Sequence, residues 1–188
     1  MKLLHTSDWH FGMPLGTGSY IEEQKYFLEQ LYAIIEKEKV DAVLCAGDIY
    51  DSSVSNAEAI ELYNTAMTQI CFQMRVPTVL IAGNHDSGAR LATCRSLLKG
   101  AGLHVTGKLT RDIAPVLFEG GKVAVYAIPF FNREEVRALF PERCDEIRSE
   151  ETAYQVVLDN IRVRMRLKFC TAYKKATASS ALFRTWSS

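Results

Sequence analysis

Three short polar clusters carry the residues best suited to chemistry. They are Asp8-Trp9-His10, Gly47-Asp48-Ile49-Tyr50-Asp51 and Gly83-Asn84-His85-Asp86. Carboxylate, imidazole and carboxamide groups together suit Mn, Fe or Zn better than the all-oxygen shells of Ca or Mg. Asp8 and His10 alternate by two, so both can reach one side of an extended segment. Asp48 offers two oxygens and can bridge two ions, and Asn84 offers a neutral carbonyl oxygen. Gly47 and Gly83 directly precede Asp48 and Asn84, where they allow tight turns and close backbone approach. Taken singly the clusters differ in weight. D-x-H recurs by chance, and an Asp after a strand is often only a helix cap or turn residue. G-N-H-D arises by chance in on the order of one chain in a thousand at this length and ordinary residue usage.

Each cluster follows a segment with strand character. Residues 2–6 are a short apolar run ending at Ser7-Asp8, Ala42–Ala46 is closed by Gly47-Asp48, and 78–82 is opened by Pro77 and closed by Gly83-Asn84. Between them, Phe27, Leu28, Leu31, Ile34 and Ile35 predict a helix over 20–39, and Ile60, Tyr63, Met67, Ile70 and Met74 predict one over 56–74. A third helix is predicted over 89–99, ended by Gly100 and Gly102. This β-α-β-α-β-α alternation predicts an α/β fold with a parallel sheet and crossover helices. The carboxyl ends of neighbouring parallel strands face one crevice, where ligands bind, so the three clusters are expected to converge. Beyond Gly102 the pattern changes to shorter strands at 103–106, 114–118 and 122–128, the last two joined at Gly120-Gly121, and then a helix over 150–166.

The 188 residues carry 22 Lys/Arg and 22 Asp/Glu, so no global positive field argues for a polyanionic partner. The balance is uneven. Residues 161–188 hold seven Lys/Arg and no Asp/Glu, which leaves 15 basic against 22 acidic residues in the first 160. No apolar run reaches the ~18–20 residues of a membrane span, and the N-terminus turns polar too soon for a signal peptide. A cytoplasmic protein with no membrane partner is therefore expected. Cys45, Cys71, Cys94, Cys144 and Cys170 are widely spaced with no C-x-x-C pair, so reduced thiols rather than a zinc site are expected. His5 reads as a packing residue of the first strand, and His104, with no polar motif around it, as structural or exposed.

The succession D-x-H, G-D-x-x-D, G-N-H-D resembles the calcineurin-like metallophosphoesterase superfamily. The wording around the motifs is similar to its SbcD-like DNA nuclease branch over residues 1–165. It is carried by His5-Thr6-Ser7-Asp8-Trp9-His10-Phe11-Gly12, Leu62-Tyr63-Asn64, Ala82-Gly83-Asn84-His85-Asp86-Ser87 and Ile128-Pro129-Phe130. The resemblance implies a layered α-β-β-α fold, here C-terminally incomplete, and hydrolysis of phosphodiester bonds with two divalent ions, Mn²⁺ by family habit. Asp8 and His10 would hold the first ion, Asp48 would bridge both, and Asn84 would hold the second and touch the phosphate. His85 would also meet the substrate and protonate the leaving oxygen, and adjacency suggests that Asp86 orients it. The implied partners are DNA, an SbcC-like ATPase and a second copy of the chain, in an exonuclease/endonuclease acting on DNA ends and hairpins in repair and recombination. Two other readings stay open. One is a different phosphoesterase of the superfamily, a phosphatase or cyclic-nucleotide phosphodiesterase, and the other is a non-catalytic fragment.

The resemblance also implies three further histidines, from a G-H and a G-H-x-H motif, and no histidine follows His104. An impaired site is expected on that ground. The acid-free stretch over 166–188 is expected to be a divergent basic tail, a truncation or reading-frame product.

Overall fold

The computed structural model describes residues 1–16 and 18–165. The expectation for residues 166–188 lies outside the described residues. The first compact unit spans Met1–Phe131 and a second begins at Asn132.

Four aliphatic runs build the main sheet of the first unit: β1 (Leu3–Thr6), β4 (Ala42–Ala46), β5 (Thr78–Ile81) and β6 (Leu103–Thr106). They pair in parallel in the order β1-β4-β5-β6, with His5, Leu44, Val79 and His104 in one register row. Two minimal strands, β2 (Pro14–Leu15) and β3 (Gly18–Ser19), pair antiparallel in the loop after β1. Helix α1 (Ile21–Glu38) and helix α2 (Ala57–Met67) provide the crossovers. Asn56 caps α2 by accepting from the Ala59 amide at 2.8 Å. Leu28, Leu31 and Ile35 of α1 join Val43, Cys45, Leu80 and Val105 of the sheet in one buried cluster. This is the α/β parallel architecture that the alternating pattern predicts.

The differences from that pattern have local causes. The helix predicted over 56–74 is α-helical only to Met67, and Thr68–Gln73 widens into a π-helix. The buried positions are Ala59, Leu62, Ala66, Met67, Ile70 and Cys71, whereas Ile60 is 48% exposed. Met67 and Ile70 of the predicted stripe are buried, Tyr63 and Met74 are partly buried against the core, and Ala59, Leu62 and Ala66 take the place of Ile60 on the buried face. The helix predicted over 89–99 is broken into α3 (Gly88–Leu91), α4 (Arg95–Leu98) and a 3-10 turn at Lys99–Ala101. Leu91 anchors the first piece while Leu97 is 77% exposed, so no continuous stripe holds one long helix together. Cys94 makes the break at φ 57°. Strands β7 (Val116–Phe118) and β8 (Val123–Val125) form the expected hairpin, turning through Glu119–Gly121 at positive φ. Residues 125–128 line a cavity with His5, Leu44 and Val79, which brings the end of the hairpin to the sheet face opposite α1 and α2.

The second unit contains α5 (Arg133–Leu139), opened by a reciprocal capping box between Asn132 and Glu135, and a helix over 150–165. Ala153, Val156, Val157 and Ile161 are buried along that helix, and Met165, the last member of the apolar stripe that its spacing predicts, is 37% exposed. No described helix is long and apolar enough to cross a membrane. Among the described residues Cys45 and Cys71 are buried free thiols, whereas Cys94 is exposed and Cys144 half-buried, and Cys170 lies outside them.

Leu80 sits fully buried at the centre of β5. Leu80→Ala is expected to lower stability by roughly 3 kcal/mol through lost burial plus the cavity left behind, measured as a reduced urea midpoint at unchanged slope.

Candidate metal centre

The site begins where the parallel ladder ends. Past β1 and β4 the two loops continue to pair: the Asp8 amide donates to the Gly47 carbonyl at 3.1 Å, His10 to Asp48 at 2.9 Å, and Phe11 to Ile49 at 2.9 Å. A last parallel bridge joins Phe11 to Tyr50. This lacing holds Asp8, His10 and Asp48 at φ 55°, 44° and 51°, a region uncommon outside glycine that Asp and His enter more readily than most side chains. Between the two ligand candidates Trp9 turns the other way. It is 5% exposed, stacks edge-on near Phe27 at 6.1 Å, and its indole N–H donates to Thr6 Oγ1 at 2.9 Å. The alternation by two therefore sends Asp8 and His10 to the site and Trp9 to the core.

His10 is the hub. Its Nε2 lies 3.8 Å from Asp8 Oδ1 and 4.0 Å from Asp48 Oδ2, and its Nδ1 lies 3.5 Å from Asp51 Oδ1. The last contact does not reach hydrogen-bond geometry, so Nδ1 is a buried nitrogen with no hydrogen-bond partner. Ligand atoms of Asp8, His10 and Asp48 all lie within 4.8 Å of one another, as do those of His10, Asp51 and His85. Carboxylates crowded at this spacing around an imidazole, with one ring nitrogen left without a hydrogen bond, fit a divalent cation by donor type and separation. The Ser7 hydroxyl donates to the second oxygen of Asp8 and completes its surroundings.

The third loop is locked onto the second. Asp86 accepts from the amides of Ile49 at 3.2 Å, Tyr50 at 3.0 Å and Gly83 at 2.9 Å. The expectation that Asp86 orients His85 is therefore corrected: both of its oxygens accept from backbone amides, and it braces two loops together. His85 is held by different groups. Its amide donates to Asp48 Oδ1 at 3.1 Å, and its Nδ1 lies 2.8 Å from the Asp51 carbonyl. A carbonyl only accepts, so Nδ1 carries the proton and Nε2 is left for a ligand or proton transfer. The same carbonyl raises the His85 pKa above the ordinary imidazole value, aided by Asp48, Asp51 and Asp86 and opposed by desolvation. The rings of His10 and His85 meet edge to face, with centroids 4.9 Å apart. Asn84 is exposed on the same loop, directly after Gly83, which packs against the Asp48 carboxylate.

Two residues beyond the expected set belong to the site. Asp51 supplies the carbonyl that fixes His85 and a carboxylate facing His10. Its signal was the second Asp of G-D-x-x-D. Gln24 on α1 is buried at 9% exposure, and its Nε2 donates to the carbonyls of His10 at 2.6 Å and Trp9 at 3.4 Å. Its Oε1 accepts from the Gly12 amide at 3.1 Å. A polar residue on the buried face of a predicted amphipathic helix was the available signal. His5, expected to pack, is exposed in the cavity it lines with residues 125–128, and His104 is half-buried at the sheet edge.

The calcineurin-like phosphoesterase profile matches residues 1–161. The chain belongs to that family. The family implies divalent metal ions, in agreement with the donor set around His10. The chain is also similar to the SbcD component of the SbcCD nuclease of Staphylococcus epidermidis, 33% identical over 143 residues, or 76% of this chain and 38% of that protein. The protein of the same name from Staphylococcus saprophyticus is 32% identical over 146 residues, 78% of this chain and 38% of its own length. The chain thus spans less than two fifths of the curated relatives it matches.

Gln24→Leu removes the clamp on the first ligand loop while keeping its bulk. Mn²⁺ affinity measured by calorimetry is expected to fall about 10–100-fold, the usual cost of removing a group that orients metal ligands, with the circular dichroism spectrum unchanged.

Proposed function

We propose that this chain is the nuclease part of an SbcD-like protein, which hydrolyses phosphodiester bonds at DNA ends and hairpins. The observation that carries the reading is the convergence of Asp8, His10 and Asp48 within ligand distance, beside an exposed His85 oriented by the Asp51 carbonyl. The similarity to two nuclease components supports a nucleic-acid phosphodiester as the substrate. In this reading the protein works in the cytoplasm, in DNA repair and recombination, as a homodimer with an SbcC-like ATPase.

Asp8 and His10 would hold one cation, Asp48 would share two, and Asn84 would hold the second and contact the scissile phosphate. Bound divalent cations, Mn²⁺ by family habit, supply Lewis acidity that activates water and neutralises charge developing on the phosphate. The protein's own contribution is positional. The laced loops fix Asp8, His10 and Asp48 before any substrate arrives, so that little reorganisation accompanies the reaction. His85 Nδ1–H is anchored on Asp51, which aims Nε2 outward, and the raised pKa keeps the ring protonated to higher pH than a free imidazole. Such a group suits proton donation to the departing oxygen of the strand.

The test is Mn²⁺-dependent cleavage of an end-labelled DNA duplex by the 188-residue chain, beside Asp48→Ala and with a phosphopeptide and a cyclic nucleotide in parallel. The expected result is slow DNA cleavage that falls at least about 100-fold in Asp48→Ala, the order of loss for a charge-stabilising group. Preference for the phosphopeptide or cyclic nucleotide would replace the nuclease reading with another phosphoesterase. A folded chain that binds Mn²⁺ without cleaving any of them would establish a non-catalytic fragment.

A further inference from the structure

A recess of about 620 Å³ opens at the free edge of the main sheet, lined by none of the metal-loop residues. Arg95, Ser96 and Lys99 form one wall, His104 and Thr106 of β6 come from the sheet, and residues 114–117 leading into β7 close the far side. Among the described residues no acidic side chain lines it. This is unexpected in a body whose first 160 residues carry more acid than base.

Among the described residues the side chains of Arg95, Ser96, Lys99, His104 and Thr106 make no hydrogen bond or ion pair. Burial and the neighbouring Lys99 both lower the His104 pKa, so the ring is neutral at pH 7 and offers one donor and one acceptor. Arg95 and Thr106 also line a smaller recess of about 160 Å³, where Lys108 adds a third cation and Asp112 is the one acidic residue. Pro115, Val116 and Leu117, the last 59% exposed, give the larger recess an apolar wall. Two neighbouring cations with hydroxyls beside them suit a phosphate oxyanion, and an apolar wall alongside suits a sugar or base. The volume lies within the ~300–1,000 Å³ range of ligand sites.

We propose that this recess is a second nucleic-acid subsite that takes one nucleotide unit of a DNA strand. Its backbone phosphate sits between Arg95 and Lys99, and its sugar or base lies against residues 115–117. The phosphate chemistry stands on the recess itself, while the choice of a DNA strand as its source rests on the nuclease reading. Because Arg95 and Lys99 are exposed, removing them leaves the core untouched.

The experiment is fluorescence anisotropy of a labelled single-stranded oligonucleotide with the full chain in EDTA, so that no metal contributes. Arg95→Ala/Lys99→Ala is compared with a charge-matched Lys37→Ala/Lys122→Ala control, and inorganic phosphate and deoxyadenosine monophosphate serve as competitors. The expected result is an affinity loss of about tenfold in the recess variant and less than twofold in the control. The log–log salt dependence should flatten by about 0.7, the share of one phosphate contact on a single strand, since both cations meet the same phosphate. The mononucleotide should displace the oligonucleotide at lower concentration than phosphate does. Equal losses in both variants, or none, overturn the proposal, and displacement by phosphate alone overturns the nucleotide assignment. Failure of this binding with Mn²⁺-dependent cleavage intact removes the subsite alone. Intact binding without any DNA cleavage removes the nuclease reading alone.

Discussion

Gly47 and Gly83 pass each other without room for a side chain, and the rest of the site depends on that crossing. A Cβ on Gly47 would lie 2.9 Å from the Gly83 Cα, and one on Gly83 would collide with the Asp48 carboxylate. The crossing lets the loops after β4 and β5 leave the sheet side by side. Asp48, at the exit of one, can then accept from the His85 amide on the other, and Asp86 can reach back to Ile49 and Tyr50. With larger residues here the loops would splay, and the groups that meet around His10 would separate. A parallel sheet supplies convergence of strand ends in general. The two bare backbones turn that convergence into contact.

Bringing Asp8, Asp48 and Asp51 around one imidazole opposes itself electrostatically, since like charges at a few ångströms repel. The geometry persists because backbone hydrogen bonds, rather than the charged groups, define it. The ladder between the first two loops fixes Asp8, His10 and Asp48 at positive φ, Gln24 holds the far end of the first loop, and Asp86 ties the third. Most of the polar machinery thus serves to hold other residues. Asp86, for all its adjacency to His85, is part of the frame, and the burial of Tyr50 beside it pushes that phenol up to about 12. A cation entering between the carboxylates would relieve repulsion that the fold otherwise carries.

The strands and their order were legible because aliphatic runs closed by Gly-Asp, Gly-Asn or Ser-Asp are local signals. The parallel pairing followed from their alternation with helical stripes. The placement of Asp8, His10 and Asp48 was legible for the same reason: each follows a strand directly. Partners across loops were not. His85 neighbours Asp86 in sequence, yet its ring is held by Asp51, 34 residues away. Gln24 lies on a helix whose stripe says only that something is buried there, not that a buried amide reaches a ligand loop. The alanines on the buried face of α2 were not legible either, since apolar periodicity does not distinguish small residues from large ones. His104 carries no motif, so nothing local in the sequence places it beside Arg95 and Lys99.

Exposure grades across the donor set, and the gradient bears on what the site can bind. The side chain of Asp48 is 14% exposed, His10 19%, Asp51 28% and Asp8 65%. Asn84 and His85 are exposed as well. The less exposed Asp48 and His10 sit on the paired backbones of the first two loops, which define their position. The exposed members form a rim open to solvent. A small cyclic nucleotide gains most of its affinity from enclosure of roughly 70–90% of its surface, and an open rim does not enclose. A phosphodiester within a long strand can approach such a rim while the strand draws affinity from contacts outside it. On the nuclease reading, the metal loops therefore select a phosphodiester, and the choice among strands falls to surfaces beyond them.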